Sequence, residues 1–350
     1  MRAPDATDVP APDAAAAAAA RERLASLATP PGALGRLGEL AVWWAGVRGV
    51  PVPPAPRRVD LHVVAGDHGV VARGVSAFPA AVTPLMVRAF LDGGAAATVL
   101  ARQLGVHVHT HDLAVDTDWP PGTDPALTAH KVRRGSGSID TDDALTPEET
   151  DAALAAGAAL ADASVDAGAD LLLVGDMGIG NTTPAAALVC ALLDGDPAVL
   201  TGRGTGVDGD ALARKREVVT AAVTRARDAH GDDPRRLLGG LGGADLAAMA
   251  GLCARAARRR TPVLLDGVVV TAAALAAERA APGSAAWWAA GHRSAEPAHS
   301  PALVALGLDP LLDLGMRLGE GSGALAALPL LSSAATLLAE TALLADVLPG

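Results

Sequence analysis

The chain has 350 residues, half of them apolar, with 28 Lys and Arg against 39 Asp and Glu for a net charge of -11. That length and apolar content exclude a mainly disordered chain and suit two domains or one large α/β domain. The acidic balance supplies no broad cationic face for nucleic acid or an anionic membrane, and with 2% aromatics the core must be built from Ala, Val and Leu.

The two cysteines, Cys190 and Cys253, lie in Ala- and Leu-rich surroundings without paired spacing. Buried thiols in a reducing cytoplasm are expected, rather than a disulfide framework or a zinc site. No apolar run reaches the roughly 18 residues of a membrane span. The N-terminal segment carries Asp5, Asp8 and Asp13 where a signal peptide carries basic residues. A cytoplasmic location without an anchor is expected.

Asp13 to Ala28 predicts an Ala-dominated helix closed by Pro30-Pro31-Gly32, and a second helix runs through Leu34 to Val47. Pro51, Pro53, Pro54 and Pro56 form a stiff lead into residues 59–65, whose β-branched composition reads as a strand. Short apolar runs recur at Val106 to Val115, Leu171 to Val174 and Val263 to Leu265, separated by long Ala-rich helical stretches. That alternation predicts βαβ units and a parallel sheet. Thr146-Pro147-Glu148-Glu149 spells a capping box with Pro at the first helical position, opening a helix that reaches about Gly168. The Pro-, Gly- and Asp-rich stretch from Asp116 to Asp143 reads as a long excursion from the sheet.

Three of the predicted strands run into an acid beside glycine: Asp67, Asp176 and Asp266. In an open parallel sheet the carboxyl ends of strands line the ligand crevice, so three acids there form a site hypothesis. After Asp176 come Gly178, Ile179 and Gly180, then Asn181, Thr182 and Thr183 as N-cap oxygens and Pro184 at the first helical position. Backbone N–H groups and the dipole of the following helix would hold an anion there. Lys215, one of only two lysines, stands between Arg214 and Arg216, downstream of a Gly202-Arg203-Gly204-Thr205-Gly206 loop. A compact point charge suits a phosphate or carboxylate, although chance placement reads the same way. Glu320 lies between Gly319 and Gly321 before an apolar helix starting near Ser322, whose dipole would favour the ionised carboxylate of a general base. The same pattern also suits a helix-initiating loop whose acid compensates the dipole. His107, His109 and His111 alternate on one predicted strand face; with no acid or cysteine at matching spacing, a solvated edge face is expected rather than a metal site.

With these segments assembled, the sequence closely resembles the nicotinate-nucleotide:dimethylbenzimidazole phosphoribosyltransferases of cobalamin lower-ligand assembly. The likeness rests on residues 30–37 (PPGALGRL), Asp67-His68-Gly69-Val70 continuing to Pro79, and residues 93–96 (GGAA). It continues through residues 177–184 (MGIGNTTP), 202–206 (GRGTG), Asp266-Gly267, 291–297 (GHRSAEP) and 319–321 (GEG). The resemblance implies a Rossmann-like parallel sheet flanked by helices over residues 51–310, with a small helical domain built from both chain ends, residues 1–50 and 311–350. It implies transfer of the 5-phosphoribosyl group from nicotinate mononucleotide to a benzimidazole nitrogen, with inversion at the anomeric carbon. By this match Glu320 is the general base and Asp176 a second catalytic acid. Gly178, Ile179, Gly180, Asn181, Thr182, Thr183, Gly204 and Lys215 would hold the phosphate and ribose. Asp266 and Ser294 join the substrate site, and Ser76, Phe78 and Leu318 border the flat acceptor base. A homodimer is implied, and no metal or other cofactor, because the donor already carries a cationic leaving group. The chain departs from the family pattern in having Asp176 for the usual Glu, Pro84 for a polar residue near the acceptor, Val270 for a serine and Ser138 for an asparagine.

Overall fold

A computed structural model describes residues 9–347; Asp5 and Asp8 lie outside the described residues. The chain opens with α1 (Ala14–Ser26) and α2 (Gly35–Arg48), then enters β1 (Val59–Gly66), α3 (Val82–Leu91), α4 (Ala96–Leu104) and β2 (His107–Ala114). After the long connection come α5 (Pro147–Asp166), β3 (Leu171–Met177), α6 (Thr182–Leu193), α7 (Pro197–Leu200), α8 (Gly209–His230), α9 (Pro234–Leu241) and α10 (Ala244–Arg258). β4 (Val263–Leu265), α11 (Val268–Ala280), β5 (Trp288–Ala290), α12 (His299–Leu306), α13 (Ser322–Glu340) and α14 (Leu344–Val347) complete it.

The five strands form one parallel sheet in the order β2-β1-β3-β4-β5. β1 and β3 are buried along their whole length, as central strands of a parallel sheet covered by helices are, with Asp60 and His62 buried in β1 and Asp176 in β3. The capping box is present: Glu149 N–H donates to Thr146 Oγ1 at 3.2 Å and Thr146 N–H donates to Glu149 Oε2 at 2.9 Å. Small residues let α5 and α10 approach closely, since a Cβ on Gly251 would strike the Leu154 carbonyl and one on Gly157 would lie 2.8 Å from Leu252 N.

The chain ends meet. α1 carries Asp13 as its N-cap, and Arg23 donates to the carbonyls of Leu338 and Ala339 at 2.6 and 2.9 Å, while Ala28 N–H donates to Ala342 at 2.8 Å. α2 packs between α1 and α13. Cys190 and Cys253 are buried free thiols, both pushed up to about 12 by burial.

One expectation needs correction. Two stretches, Val82–Leu104 and Ser322–Glu340, are long and apolar enough by composition to cross a membrane. The first is broken by a turn at Asp92 and Gly93 into α3 and α4, and the second lies 56% buried against α2, α4, β3 and β4.

Candidate active site

From β1 the chain passes to β2 on one side, and β3 then pairs on the other, so the topological switch lies between β1 and β3. A crevice of about 460 Å³ opens at the carboxyl ends of β3 and β4. Of the residues singled out from sequence, Phe78, Asp176, Asn181, Thr182, Gly204, Asp266, Ser294 and Leu318 line it. Ser76, Gly178, Ile179, Gly180, Thr183, Lys215 and Glu320 do not line it, although Lys215 and Glu320 are buried next to the lining residues Thr182 and Gly319. A larger hollow, about 740 Å³, lies between α1 and α2, far from the strand ends and lined mainly by Ala, Leu, Pro and Gly.

At the end of β3, Asp176 is buried, with Oδ2 accepting from Asn181 Nδ2 at 2.7 Å and Oδ1 without a partner. Burial first, then the neighbouring Asp245 carboxylate, push its carboxyl well above the usual range, against the opposing pull of His68. His68 Nε2 lies 2.9 Å from Asp245 Oδ2; burial lowers the imidazole, but Asp245, Asp176 and Asp67 together raise it above its ordinary value. The expected N-cap is corrected here: Asn181 has helical backbone and no capping bond, because its amide is drawn to Asp176. Pro184 is accordingly the third residue of α6. Several loop N–H groups are also already used: Ile179 donates to Thr83 Oγ1 at 3.1 Å, Asn181 to the Gly178 carbonyl and Thr183 to the Gly180 carbonyl.

The loop therefore offers an anion fewer free N–H groups than expected, and the nearest cation comes from a side chain. Lys215 reaches in from α8, almost fully buried, and Nζ donates to Thr182 Oγ1 at 2.7 Å. Burial lowers its pKa to about 8, with Glu296 opposing, so the ammonium stays charged at neutral pH. Gly204 has φ +51°, and a Cβ on it would lie 2.5 Å from Thr182 Oγ1 and 2.9 Å from Lys215 Nζ, so only glycine leaves these two groups uncrowded. Gly204 is fixed from both sides: its N–H donates to Glu296 Oε1 at 2.9 Å and its carbonyl accepts from Arg317 Nη1 at 2.6 Å. Thr205 ties this loop to the next, bonding Ser76 Oγ at 3.1 Å and accepting from Ala77 N–H at 3.0 Å. Phe78 and Leu318, 52% and 54% exposed, present apolar faces at the mouth.

Glu320 follows Gly319 of the crevice wall, buried and in a left-handed turn with φ +64°. The expected electrostatics are corrected: burial raises its carboxyl above the ordinary value, with Asp266 adding to the rise and the Ala97 N–H opposing it. That N–H, at the start of α4, lies 3.4 Å from Oε2. The start of α13 is instead taken by Asp266, which accepts from Gly321, Gly323 and Ala324 N–H at 3.0, 2.7 and 3.2 Å.

Asp67 does not join the other two strand-end acids. Its Oδ2 accepts from Asp116 N–H at 2.8 Å, in the long connection. The histidine face also differs from expectation, because of the three only His107 is exposed and His109 and His111 are half-buried. His109 and His111 stack on buried His62 at interplanar angles of 22° and 19° and on each other at 13°, and His62 bonds His111 at 3.0 Å and Ser164 Oγ at 2.9 Å. Among the described residues no group of three or more His, Cys, Asp or Glu is arranged to hold a metal ion. Ser138 Oγ donates to Asp140 at 2.6 Å, and Val270 lines the crevice from α11.

Sequence reasoning passed over Arg317, Glu296, Thr205 and the Asp245–His68 pair as site residues. Glu296, Thr205 and His68 lie inside the motifs already quoted; Asp245 sits in an Ala-rich helix and has no local signal.

The family model described as "Phosphoribosyltransferase" matches residues 9–347. The nicotinate-nucleotide–dimethylbenzimidazole phosphoribosyltransferase of Mycolicibacterium paratuberculosis is 57% identical over 335 residues, covering 96% of this chain and 95% of the relative. The protein of that name from Mycobacterium tuberculosis is 55% identical over 334 residues, covering 95% and 91%. A solved structure of CobT from Thermus thermophilus superposes with a TM-score of 0.90 at 44% identity, covering 95% of this chain and 98% of that one. A chain that matches these proteins over nearly its whole length, and carries their parallel-sheet fold, belongs to the nicotinate-nucleotide–dimethylbenzimidazole phosphoribosyltransferase family.

Proposed function

We propose that the strand-end crevice is where this phosphoribosyltransferase moves the 5-phosphoribosyl group of nicotinate mononucleotide onto 5,6-dimethylbenzimidazole. The products are α-ribazole 5'-phosphate and nicotinate, a step in cobalamin nucleotide-loop synthesis. The observation that carries the site assignment is the pairing of a buried cation and a buried base across one crevice: Lys215 with Thr182 and Gly204 at one end, Glu320 behind Gly319 at the other.

The donor's phosphate pairs with Lys215 and the Thr182 hydroxyl, which sets its ribose across the carboxyl ends of β3 and β4. The acceptor base lies between Phe78 and Leu318, with Ser76 holding the Phe78 turn. The bond from the anomeric carbon to the pyridinium nitrogen breaks, and its electron pair neutralises the departing ring. An acceptor ring nitrogen attacks the opposite face of the carbon, inverting it, and the acceptor's ring N–H gives its proton to Glu320. Charge building on the sugar meets the Asp176 end of the crevice. The chain ends, residues 1–50 and 311–350, act as a small domain completing the site of residues 51–310, and two such subunits form a cytoplasmic homodimer with no nucleic-acid or membrane partner.

Incubating the protein with nicotinate mononucleotide and 5,6-dimethylbenzimidazole tests the reading. Stoichiometric nicotinate and α-ribazole 5'-phosphate are expected. Turnover with a purine or phenol in place of the benzimidazole would reassign the acceptor, for which Asp176 and Pro84 are the relevant departures. Donor binding without nicotinate release on any base would leave a nucleotide-binding protein.

A further inference from the structure

We infer that Asp266 is a positioning residue for the base: its carboxylate acts by holding the Glu320 turn rather than by contacting the sugar. The inference rests on the reading of Glu320 given above. Asp266 ends β4 and carries its carboxylate into the start of α13, where Oδ1 accepts from Gly323 and Ala324 N–H and Oδ2 from Gly321 N–H. Those are the orphan donors of a helix N-terminus, and α13 has no side-chain cap of its own. One carboxylate from a neighbouring strand does the capping in place of a local Ser, Thr or Asp.

The turn it secures is one an L-residue rarely adopts. Glu320 is left-handed at +64°, between Gly319 at +82° and Gly321 at +86°. Such backbone persists only where its surroundings over-determine it. Besides Asp266, the constraints are Ser322, which bonds the Gly319 carbonyl through Oγ at 2.7 Å, and Gly175 of β3. A Cβ on Gly175 would lie 2.5 Å from Gly321 N. His292 backs the arrangement, with Nε2 3.5 Å from Asp266 Oδ1. Oδ1 thus has its two lone pairs engaged and Oδ2 one of two, which leaves little acceptor capacity for ribose hydroxyls.

Asp266 also acts on Glu320 through charge. The groups around Glu320 are the Ala97 N–H from α4 and the Asp266 carboxylate from the end of β4, the latter with His292 beside it, while the Glu320 N–H donates to the Asp176 carbonyl at the end of β3. The negative Asp266 raises the Glu320 carboxyl, so removing that charge lowers it.

The test is a double-mutant cycle of Asp266→Asn and Glu320→Gln, read as kcat, KM for nicotinate mononucleotide and the acid limb of the kcat profile. Asp266→Asn alone is expected to lower kcat by about 10- to 100-fold, with KM within about twofold and the acid limb displaced to lower pH. In the Glu320→Gln background it is expected to add nothing. Multiplicative losses, or a KM rise with the acid limb unmoved, overturn the positioning role and return Asp266 to the substrate. An unchanged rate in Glu320→Gln alone overturns the base assignment instead. If Asp266→Asn fails to fold, Asp266→Ser, which still accepts one N–H bond, goes through the same cycle.

Discussion

Replacing Glu320 by Gln keeps the shape of the side chain and removes its capacity to take a proton. A drop in single-turnover rate of about two to four orders of magnitude is expected, with donor affinity retained, because the proposed phosphate partners Lys215 and Thr182 are left intact. A base works only when ionised, so activity falls as pH falls through its pKa. Burial raises that pKa, which puts the acid limb of the kcat profile above the ordinary glutamate range; a limb at or below that range contradicts the buried setting. At Asp176 two substitutions separate chemistry from scaffolding. If the carboxyl acts on substrate, Asp176→Asn lowers turnover sharply and Asp176→Glu preserves or raises it. If it only receives Asn181, Asp176→Asn lowers the melting temperature without a specific turnover loss. Residue identities at the site were legible because glycine, acid and hydroxyl cluster in short strings around Asp176, Gly204 and Glu320. Their partners were not. Asp266 caps a helix 55 residues away, and Asp245 meets His68 from another helix, so only the fold brings these groups together.

Elements show the same division between local and distant information. The helix of residues 147–166 was announced by its capping box, and β4 matches the expected residues 263–265, because both signals are confined to a few neighbours. β5 went unpredicted: three residues of Trp and Ala carry no period, and pairing with β4 makes them a strand. The α5–α10 contact likewise depends on glycines that look ordinary in sequence. Gly251→Ala is expected to destabilise the protein by about 1–3 kcal/mol, because the added methyl strikes the Leu154 carbonyl across a packed interface. Denaturant melts should register that loss while kcat of the folded fraction stays at the wild-type value. Gly175→Ala is expected to do the reverse, since its methyl meets the Glu320–Gly321 backbone directly. A large kcat loss at modest cost in melting temperature is the outcome to look for, and unchanged kcat would mean that the base turn tolerates displacement from β3.

At the scale of the whole molecule, buried imidazoles couple stability to pH. His62 is held well below its ordinary value by burial first and then by His111 and His109, and His111 is lowered to about 3 by burial, His109 and His130. His299 is likewise lowered to about 3, by burial first and then by His292 and Arg293. Well above pH 6.5 these rings are neutral whether the chain is folded or not, and they confer no pH dependence. As pH falls below 6.5 the unfolded chain takes up protons that the folded chain refuses, so folding weakens progressively toward the folded-state values. A single ring with His111's shift costs about 2 kcal/mol by pH 5. Asp176 runs the other way: burial first and then Asp245 raise its carboxyl, so acidification toward that raised value favours the fold there and masks part of the histidine effect. The masking makes the slope of wild-type stability against pH ambiguous on its own, and His111→Gln resolves it. Gln at that position retains a polar partner for His62 Nδ1 but cannot titrate. Denaturant melts of the two proteins at pH 7.5, 6.5, 5.5 and 5.0 should show the variant losing less stability on acidification, the gap opening below about pH 6.5 and reaching about 2 kcal/mol at pH 5. Parallel curves for the two proteins would show that His111 takes up its proton in the folded state, and that β2 admits water to a ring stacked against His62.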